Sequence, residues 1–442
     1  MTKVYETIDR LSRLSSTLQE YEDLYIMLRN LSRGELEEAV SRHNLLDIFG
    51  HIDLSVSHPE GVKMLLKDAS LMNHFNSLTG DEEIIRLSEI FAYIASQRKE
   101  SFKEMINCPI FDRLISVLSK SDPLLQLNTL AVLKLLLVFP DGRTFLQTSG
   151  AVAHLFTDLQ TLKENPLHDI LLPGYLSFFA TLAEEEPTDF LANPIYRQPL
   201  IHCLAGYLTT SDPIITVAAI ETIAQICRTM DGKGALAVYL GKNPESLLIK
   251  PKPGACLAPL FSKAASIMLN ASAGTLPRIL LAMADVLSLP DADDISAQLP
   301  MSELTHEWFN FTSAPSPPTR LLGRIWELAR QPFKEVRSAA LNLLRALATE
   351  PWGLTLFVQM PGFLEYLLNP TTEVGTAVDG SSLQPEKFGI VYQCDLTQEH
   401  WKGHTTRWSL LDDETAARLK RRIKDGVWGQ TRAQAAVAME NE

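Results

Sequence analysis

Ser121-Asp122-Pro123-Leu124-Leu125-Gln126-Leu127-Asn128-Thr129-Leu130-Ala131-Val132-Leu133-Lys134-Leu135-Leu136-Leu137-Val138-Phe139-Pro140-Asp141-Gly142 is the stretch on which the fold turns. Proline suits the first turn of a helix because its missing N–H would have no intrahelical partner there. An aspartate just before it accepts hydrogen bonds from the free N–H groups that follow. From Leu124 to Val138 nearly every side of the helix is apolar, relieved only by Gln126, Asn128, Thr129 and Lys134. Such a helix has no flank to offer water, so it must be sandwiched between neighbours. It is also shorter than the roughly 20 residues a membrane-spanning helix requires. On this reading Leu135→Asp buries an unpaired charge and costs several kcal/mol.

The same punctuation recurs. Ser211-Asp212-Pro213 and Arg330-Gln331-Pro332 open two further segments. Counted from each proline, position +4 is Leu127, Val217 and Val336, position +7 is Leu130, Ile220 and Ala339, and position +14 is Leu137, Cys227 and Ala346. These offsets share one helical face. Position +11 (Lys134, Ala224, Leu343) is less regular. Gly142 and Gly232 both stand at +19, and in the third copy Pro351 takes that place with Gly353 two residues on. Read as helix stops, these glycines supply the left-handed conformation that ends a helix. A further helical pattern follows each stop, led by Asn107-Cys108-Pro109, Ser149-Gly150-Ala151, Asn193-Pro194-Ile195 or Met360-Pro361-Gly362.

With Asp81, Asp122, Asn165 and Asp212 as unit starts, the spacings are 41, 43 and 47 residues. Those lengths match HEAT and armadillo repeats. The 119 residues from Asp212 to Gln331 hold two units plus an insertion, with Lys250-Pro251-Lys252-Pro253-Gly254 and Leu289-Pro290-Asp291-Ala292-Asp293-Asp294 as the places for it. No sustained period-2 alternation occurs, so strand content should be near zero. The expected architecture is an all-α, curved HEAT/armadillo-like solenoid over 1–370. An irregular linker or insertion over 371–415 and a C-terminal capping helix and tail over 416–442 complete it.

Composition narrows the function. Lys plus Arg number 40 against 53 Asp plus Glu, a net charge of −13, which disfavours general affinity for nucleic acid or anionic membrane. Five cysteines (Cys108, Cys203, Cys227, Cys256, Cys394) lie far apart without a CxxC pair, which reads as buried thiols in a reducing compartment. The start Met1-Thr2-Lys3-Val4-Tyr5-Glu6 opens a charged helical pattern and not a signal peptide. A soluble intracellular protein, monomeric when free, is the expectation.

Several segments resemble the proteasome non-ATPase regulatory subunit 5 family. The main one runs from Trp308-Phe309 to Leu367 and includes Gln331-Pro332-Phe333, Ser338-Ala339-Ala340-Leu341, Glu350-Pro351-Trp352 and Pro361-Gly362-Phe363-Leu364-Glu365-Tyr366. Leu172-Pro173-Gly174-Tyr175-Leu176-Ser177-Phe178-Phe179 is a second. The tail from Asp425-Gly426 to Glu442 is a weaker third, and Leu31 to Leu46 is compatible but generic. The 371–415 region, with Trp401 and Trp408, departs from the family, and the chain is shorter than its members. The resemblance implies a chaperone of the cytosol, with the nucleus as a second location to consider, without enzymatic activity or cofactor. It implies binding to the small C-terminal domains of regulatory-particle ATPase subunits, chiefly the first and second, in a module with a large non-ATPase base subunit. Release before the finished proteasome operates is implied as well. Another armadillo-type adaptor, for transport or the cytoskeleton, is the alternative. The six tryptophans (Trp308, Trp326, Trp352, Trp401, Trp408, Trp428) do not recur with the repeat, which argues against a groove that reads basic peptides.

No residue set announces catalysis, and the residues that contact a partner are not distinguishable in the sequence. Asp231-Gly232-Lys233-Gly234 to Gly241-Lys242 has the wrong glycine spacing for a phosphate loop and no Ser or Thr after its lysine. Cys394, His400 and His404, with Asp395 nearby, are the best metal candidates, since His400 and His404 would share a helical face. They fall short of a zinc set, and a surface helix is the plainer reading. His43, His51, His58 and His74 lack metal-binding spacing. The run Arg418, Lys420, Arg421, Arg422, Lys424 is either an import signal or acidic-partner contact, or the solvated face of the last helix. Glu184-Glu185-Glu186 poses the mirror-image choice.

Overall fold

The computed structural model describes residues 66–67, 69–96, 99–120, 122–240, 256–270, 274–290, 295–373, 382–405 and 407–429. These residues form helices and turns, with no strand among them. The chain divides into two compact units, Met1–Glu185 and Glu186–Glu442, where the sequence suggested one continuous array over 1–370. The first unit contains α1 (Ala69–Ser77), α2 (Asp81–Ser96), α3 (Lys99–Met105), α4 (Pro109–Val117), α5 (Pro123–Leu136), α6 (Pro140–Thr148), α7 (Ala151–Thr161) and α8 (His168–Glu185). The second contains α9 (Pro187–Ala192), α10 (Pro194–Leu208), α11 (Pro213–Ile226), α12 (Met230–Leu240), α13 (Pro259–Asn270), α14 (Leu276–Leu287), α15 (Ile295–Ser313) and α16 (Pro318–Leu328). It continues with α17 (Lys334–Ala348), α18 (Pro351–Gln359), α19 (Phe363–Leu368), α20 (Gln384–Trp401) and α21 (Asp413–Lys424).

Within each unit, every third helix packs on the next of its kind. In the first unit α5 lies between α2 and α8; in the second, α11, α14, α17 and α20 stack in order. The two intervening helices of each repeat pack behind this row, as in armadillo repeats. The helix caps follow the sequence closely. Asp122 Oδ1 accepts from the N–H of Leu124 at 2.8 Å and of Leu125 at 3.3 Å. Asp212 Oδ1 accepts from Ile214 at 2.7 Å and Ile215 at 3.4 Å. Leu130, Val132, Leu133 and Leu136 of α5 are buried, while Leu135 is only half-buried and Leu124 is exposed. The centre of that sandwich is therefore Leu133 and not Leu135.

The recurring glycines do something other than end helices. Gly142, Gly232 and Gly353 each occupy the third position of the following helix, α6, α12 and α18. A Cβ there would lie 2.0, 2.0 and 1.9 Å from the carbonyl oxygens of Leu136, Ile226 and Leu347, in the last turns of α5, α11 and α17. The requirement is close approach of two backbones and not a left-handed turn. This shared contact also corrects the repeat register. α17 starts at Lys334, two residues after Pro332, and Gly353 is then the true counterpart of Gly142 and Gly232. Left-handed glycines stand elsewhere, among them Gly150 (φ 77°) and Gly362 (φ 79°), which precede α7 and α19.

Gly174 of α8 serves the row itself, since a Cβ there would stand 2.4 Å from Leu127 Cδ2 of α5. Beside it, Lys134 of α5 donates to Ser177 Oγ of α8 at 2.6 Å.

Residues 371–415, expected to be irregular, contain the 18-residue α20 packed on α17 as the next member of the row. Its buried face is Gln384, Lys387, Ile390, Val391, Cys394, Thr397, Gln398 and Trp401. Half of that face is polar, so no apolar period advertises the helix. Its buried lysine is matched: Lys387 donates to the carbonyls of Tyr366 and Asn369 and meets the Thr372 hydroxyl. Glu373, also within 371–415, pairs with Arg337 of α17 and accepts from Tyr366 Oη at 2.8 Å. The expected insertion stretch 250–254, residues 291–294, the segment Leu31 to Leu46 and the tail beyond 429 lie outside the described residues.

Candidate interaction surface

Each helix of the second unit's row keeps one stripe in contact with solvent. On α11 and α14 that stripe is closed by ion pairs. Arg278 donates through Nε and Nη2 to the two oxygens of Glu221 at 2.7 and 2.6 Å, and Arg228 Nε meets Asp285 Oδ2 at 2.9 Å. These hydrogen bonds to Glu221 raise the Arg278 pKa further. Exposed pairs of this sort add little stability, but the two cross between the helices in opposite directions and so set their register.

The stripe on α17 and α20 is different. Ser338, Asn342 and Arg345 mark it on α17, and Gly389, Tyr392 and Leu396 on α20. A Cβ on Gly389 would be 3.5 Å from Arg345 Cδ, so the arginine stem runs along this bare part of α20. Tyr392 is 49% exposed and Leu396 45%. An exposed arginine, an accessible tyrosine and a leucine on one stripe have the composition of an interface centre, where aromatic and arginine side chains carry most of the binding free energy.

The sequence candidates fare as follows. Cys394 is buried in α20, and burial pushes its thiol up to about 12, the wrong direction for a thiolate ligand. His400 bonds to Gln298 Oε1 at 2.6 Å, while His404 lies past the end of α20, beyond Gly403 with φ 82°. The two histidines therefore do not share a helical face. Among the described residues no three His, Cys, Asp or Glu are grouped to hold a metal. Of the other histidines, His43, His51 and His58 fall outside the described residues, as does the side chain of His74.

Lys233, the lysine of the phosphate-loop resemblance, is buried and donates to the carbonyls of Asp285 at 2.8 Å and Val286 at 2.6 Å, near the end of α14. A cation at a helix C-terminus is favourably placed. Gly241 and Lys242 lie outside the described residues. Arg143, which follows Gly142 as Lys233 follows Gly232, likewise reaches the Leu137 carbonyl at 2.7 Å and Glu185 Oε2 at 3.4 Å. Part of the Glu184-Glu185-Glu186 run is thereby structural.

The basic run divides. Arg422 is buried against the Gly426 and Val427 carbonyls, and Lys420 pairs with Glu399 at 2.7 Å, while Arg418, Arg421 and Lys424 face solvent. The tryptophans Trp308, Trp352 and Trp401 are core residues. No helix among the described residues is long and apolar enough to cross a membrane.

The described residues thus form a helical-repeat protein whose buried ionisable groups hold neighbouring helices together and whose α17 and α20 stripe stays exposed. The chain belongs to the family described as Proteasome non-ATPase 26S subunit, which it matches over residues 56–442. The 26S proteasome non-ATPase regulatory subunit 5 of Bos taurus is 25% identical over 313 residues, covering 70% of this chain and 57% of that protein. The Homo sapiens protein of the same name is 24% identical over 312 residues with the same coverage. That of Drosophila melanogaster is 20% identical over 356 residues, 80% of this chain and 63% of its own length. The matched stretch thus spans less than two thirds of each of these relatives. A solved engineered protein aligns with 95% of the chain at 15% identity and a TM-score of 0.34, too low to carry any argument.

Proposed function

We propose that this chain is a non-enzymatic chaperone for assembly of the base of the proteasome regulatory particle. It binds C-terminal domains of regulatory ATPase subunits, chiefly the first and second, within a module that includes a large non-ATPase base subunit. It acts in the cytoplasm and leaves before the mature proteasome forms. The observation that carries this reading is the family match over residues 56–442. The α17 and α20 stripe supports it, because a rigid helical scaffold loses little conformational entropy when it engages a partner. A specific interface of this kind buries on the order of 1,600 Å² in total. While the ATPase domain is covered it is withheld from premature docking on the core particle, and competing contacts later displace the chaperone.

The test is to mix the full chain with each purified ATPase C-terminal domain and follow the mixture by size exclusion and cross-linking mass spectrometry. A stoichiometric complex is expected with the first or second subunit's domain, cross-linked through Lys334 and Lys402, the exposed lysines beside the α17 and α20 stripe. No complex with any ATPase domain, together with recovery of a stoichiometric transport or cytoskeletal partner from cytosol, would instead identify an armadillo-type adaptor.

A further inference from the structure

A cleft of about 520 Å³ opens in the second unit between α13, the turn joining α15 to α16, α16 itself and Met360 at the end of α18. Its volume lies in the range of small-ligand and peptide sites. Leu269, Pro315 and Met360 supply apolar surface, and Leu269 is 52% exposed at the edge. Gly323 leaves the α16 wall bare, since a Cβ there would come within 3.0 Å of Met360 Cε.

Two guanidinium groups and one carboxylate also line the cleft. Arg324 Nη1 meets Glu327 Oε2 at 3.2 Å, which uses that carboxylate. Arg320 donates only to the neutral Ser316 Oγ, at 3.3 Å, and no carboxylate pairs with it among the described residues. The chain as a whole carries a net charge of −13, so an unmatched guanidinium beside an apolar hollow is a local reversal of sign.

We infer that this cleft binds a short internal segment of a partner protein in which an apolar side chain neighbours an acidic one. The apolar side chain fills the hollow between Leu269, Pro315 and Met360, and the carboxylate pairs with Arg320. A passing segment fits better than a free C-terminus, because a terminal carboxylate sunk in the cleft would need donors on its floor. Its two buried hydroxyls are spent on their own helix: Thr312 Oγ1 donates to the Trp308 carbonyl and Ser313 Oγ to that of Asn310, each at 2.9 Å. A phosphorylated or nucleic-acid ligand would want several free cations, and the cleft offers one. The site is separate from the α17 and α20 stripe and does not depend on the function proposed for it.

The experiment is fluorescence anisotropy with the full chain and a labelled, acetylated and amidated hexapeptide of alternating leucine and glutamate. Companion probes replace glutamate by lysine, replace leucine by alanine, or leave the C-terminus free. The leucine–glutamate probe should bind, and Arg320→Glu and Leu269→Ser should each weaken it about tenfold or more. Arg418→Glu, on the exposed face of α21, should leave it unchanged. Both companion substitutions should bind more weakly than the parent probe. No binding by the parent probe would overturn the inference, as would indifference to Arg320→Glu or equal loss in Arg418→Glu. A preference for the lysine peptide would do the same. Markedly tighter binding of the free-terminus probe would overturn the assignment to an internal segment.

Discussion

At Gly232 the absent side chain lets α12 begin against the last carbonyl of α11, and Gly142 and Gly353 repeat the arrangement. The obstructing atom is backbone in all three, so it cannot rotate away. Gly232→Ala is expected to destabilise the second unit by about 1–3 kcal/mol. All six tryptophans belong to that unit, so urea unfolding followed by tryptophan fluorescence reads it directly.

Glu350 offers a second probe. It is fully buried at the start of α18, where Ser302 and Thr305 of α15 each donate to it at 2.6 Å. Burial pushes its carboxyl up from 4.5 to about 7 despite those donors and the field of Lys233. A carboxyl whose folded pKa is raised contributes stability that is complete below its unfolded value and fades as pH rises through the folded one. The stability of the second unit should therefore fall between pH 4.5 and 7, with a slope of at most about 1.4 kcal/mol per pH unit from this group. In Glu350→Gln that contribution disappears. Lys233, depressed to about 8 by burial, has the opposite effect at high pH: stability rises from pH 8 to 10.5 as the unfolded lysine alone keeps its proton. The glycine spacing was visible in the sequence, but its purpose was not, because a glycine needed for a turn and one needed for backbone approach look identical there.

At the scale of the element, α5 tests the sandwich. Leu133→Ala removes a side chain with no solvent exposure between α2 and α8 and should cost about 2–5 kcal/mol, whereas Leu135→Ala should cost distinctly less. Thermal unfolding followed by far-ultraviolet circular dichroism separates them. Asp212→Ala deletes the acceptor for two N–H groups at the start of α11 and should cost about 0.5–2 kcal/mol in the fluorescence assay. Helices such as α5 and α11 were legible because both an aspartate–proline start and an apolar run announce them. α20 was not legible. It buries Lys387, Gln384, Thr397 and Gln398, whose partners are backbone carbonyls of segments distant in sequence, so hydropathy alone described it as loop.

For the whole molecule, the exposed stripe on α17 and α20 is where partner binding should be lost without loss of fold. On the proposed function, a variant carrying Arg345→Glu and Tyr392→Ala is expected to weaken binding of an ATPase C-terminal domain about tenfold or more, with an unchanged thermal midpoint. Isothermal titration calorimetry and a melting curve on the same sample check both halves of that expectation. Nothing in the order of residues marks Arg345 and Tyr392 as neighbours. They share one stripe because Gly389 of α20, one turn before Tyr392, lies beside the Arg345 stem.

Local chemistry is what the sequence determined unaided: where helices start, which of them are too apolar to stand alone, and hence an all-α array of repeats. Those properties depend on residues within a turn or two of each other. The true register of the third repeat, the recruitment of α20 into the row, the division at Glu185 and the composition of the exposed stripe came only from the tertiary structure. Each depends on which distant backbone or side chain arrives at close range, and a one-dimensional pattern does not contain that distance.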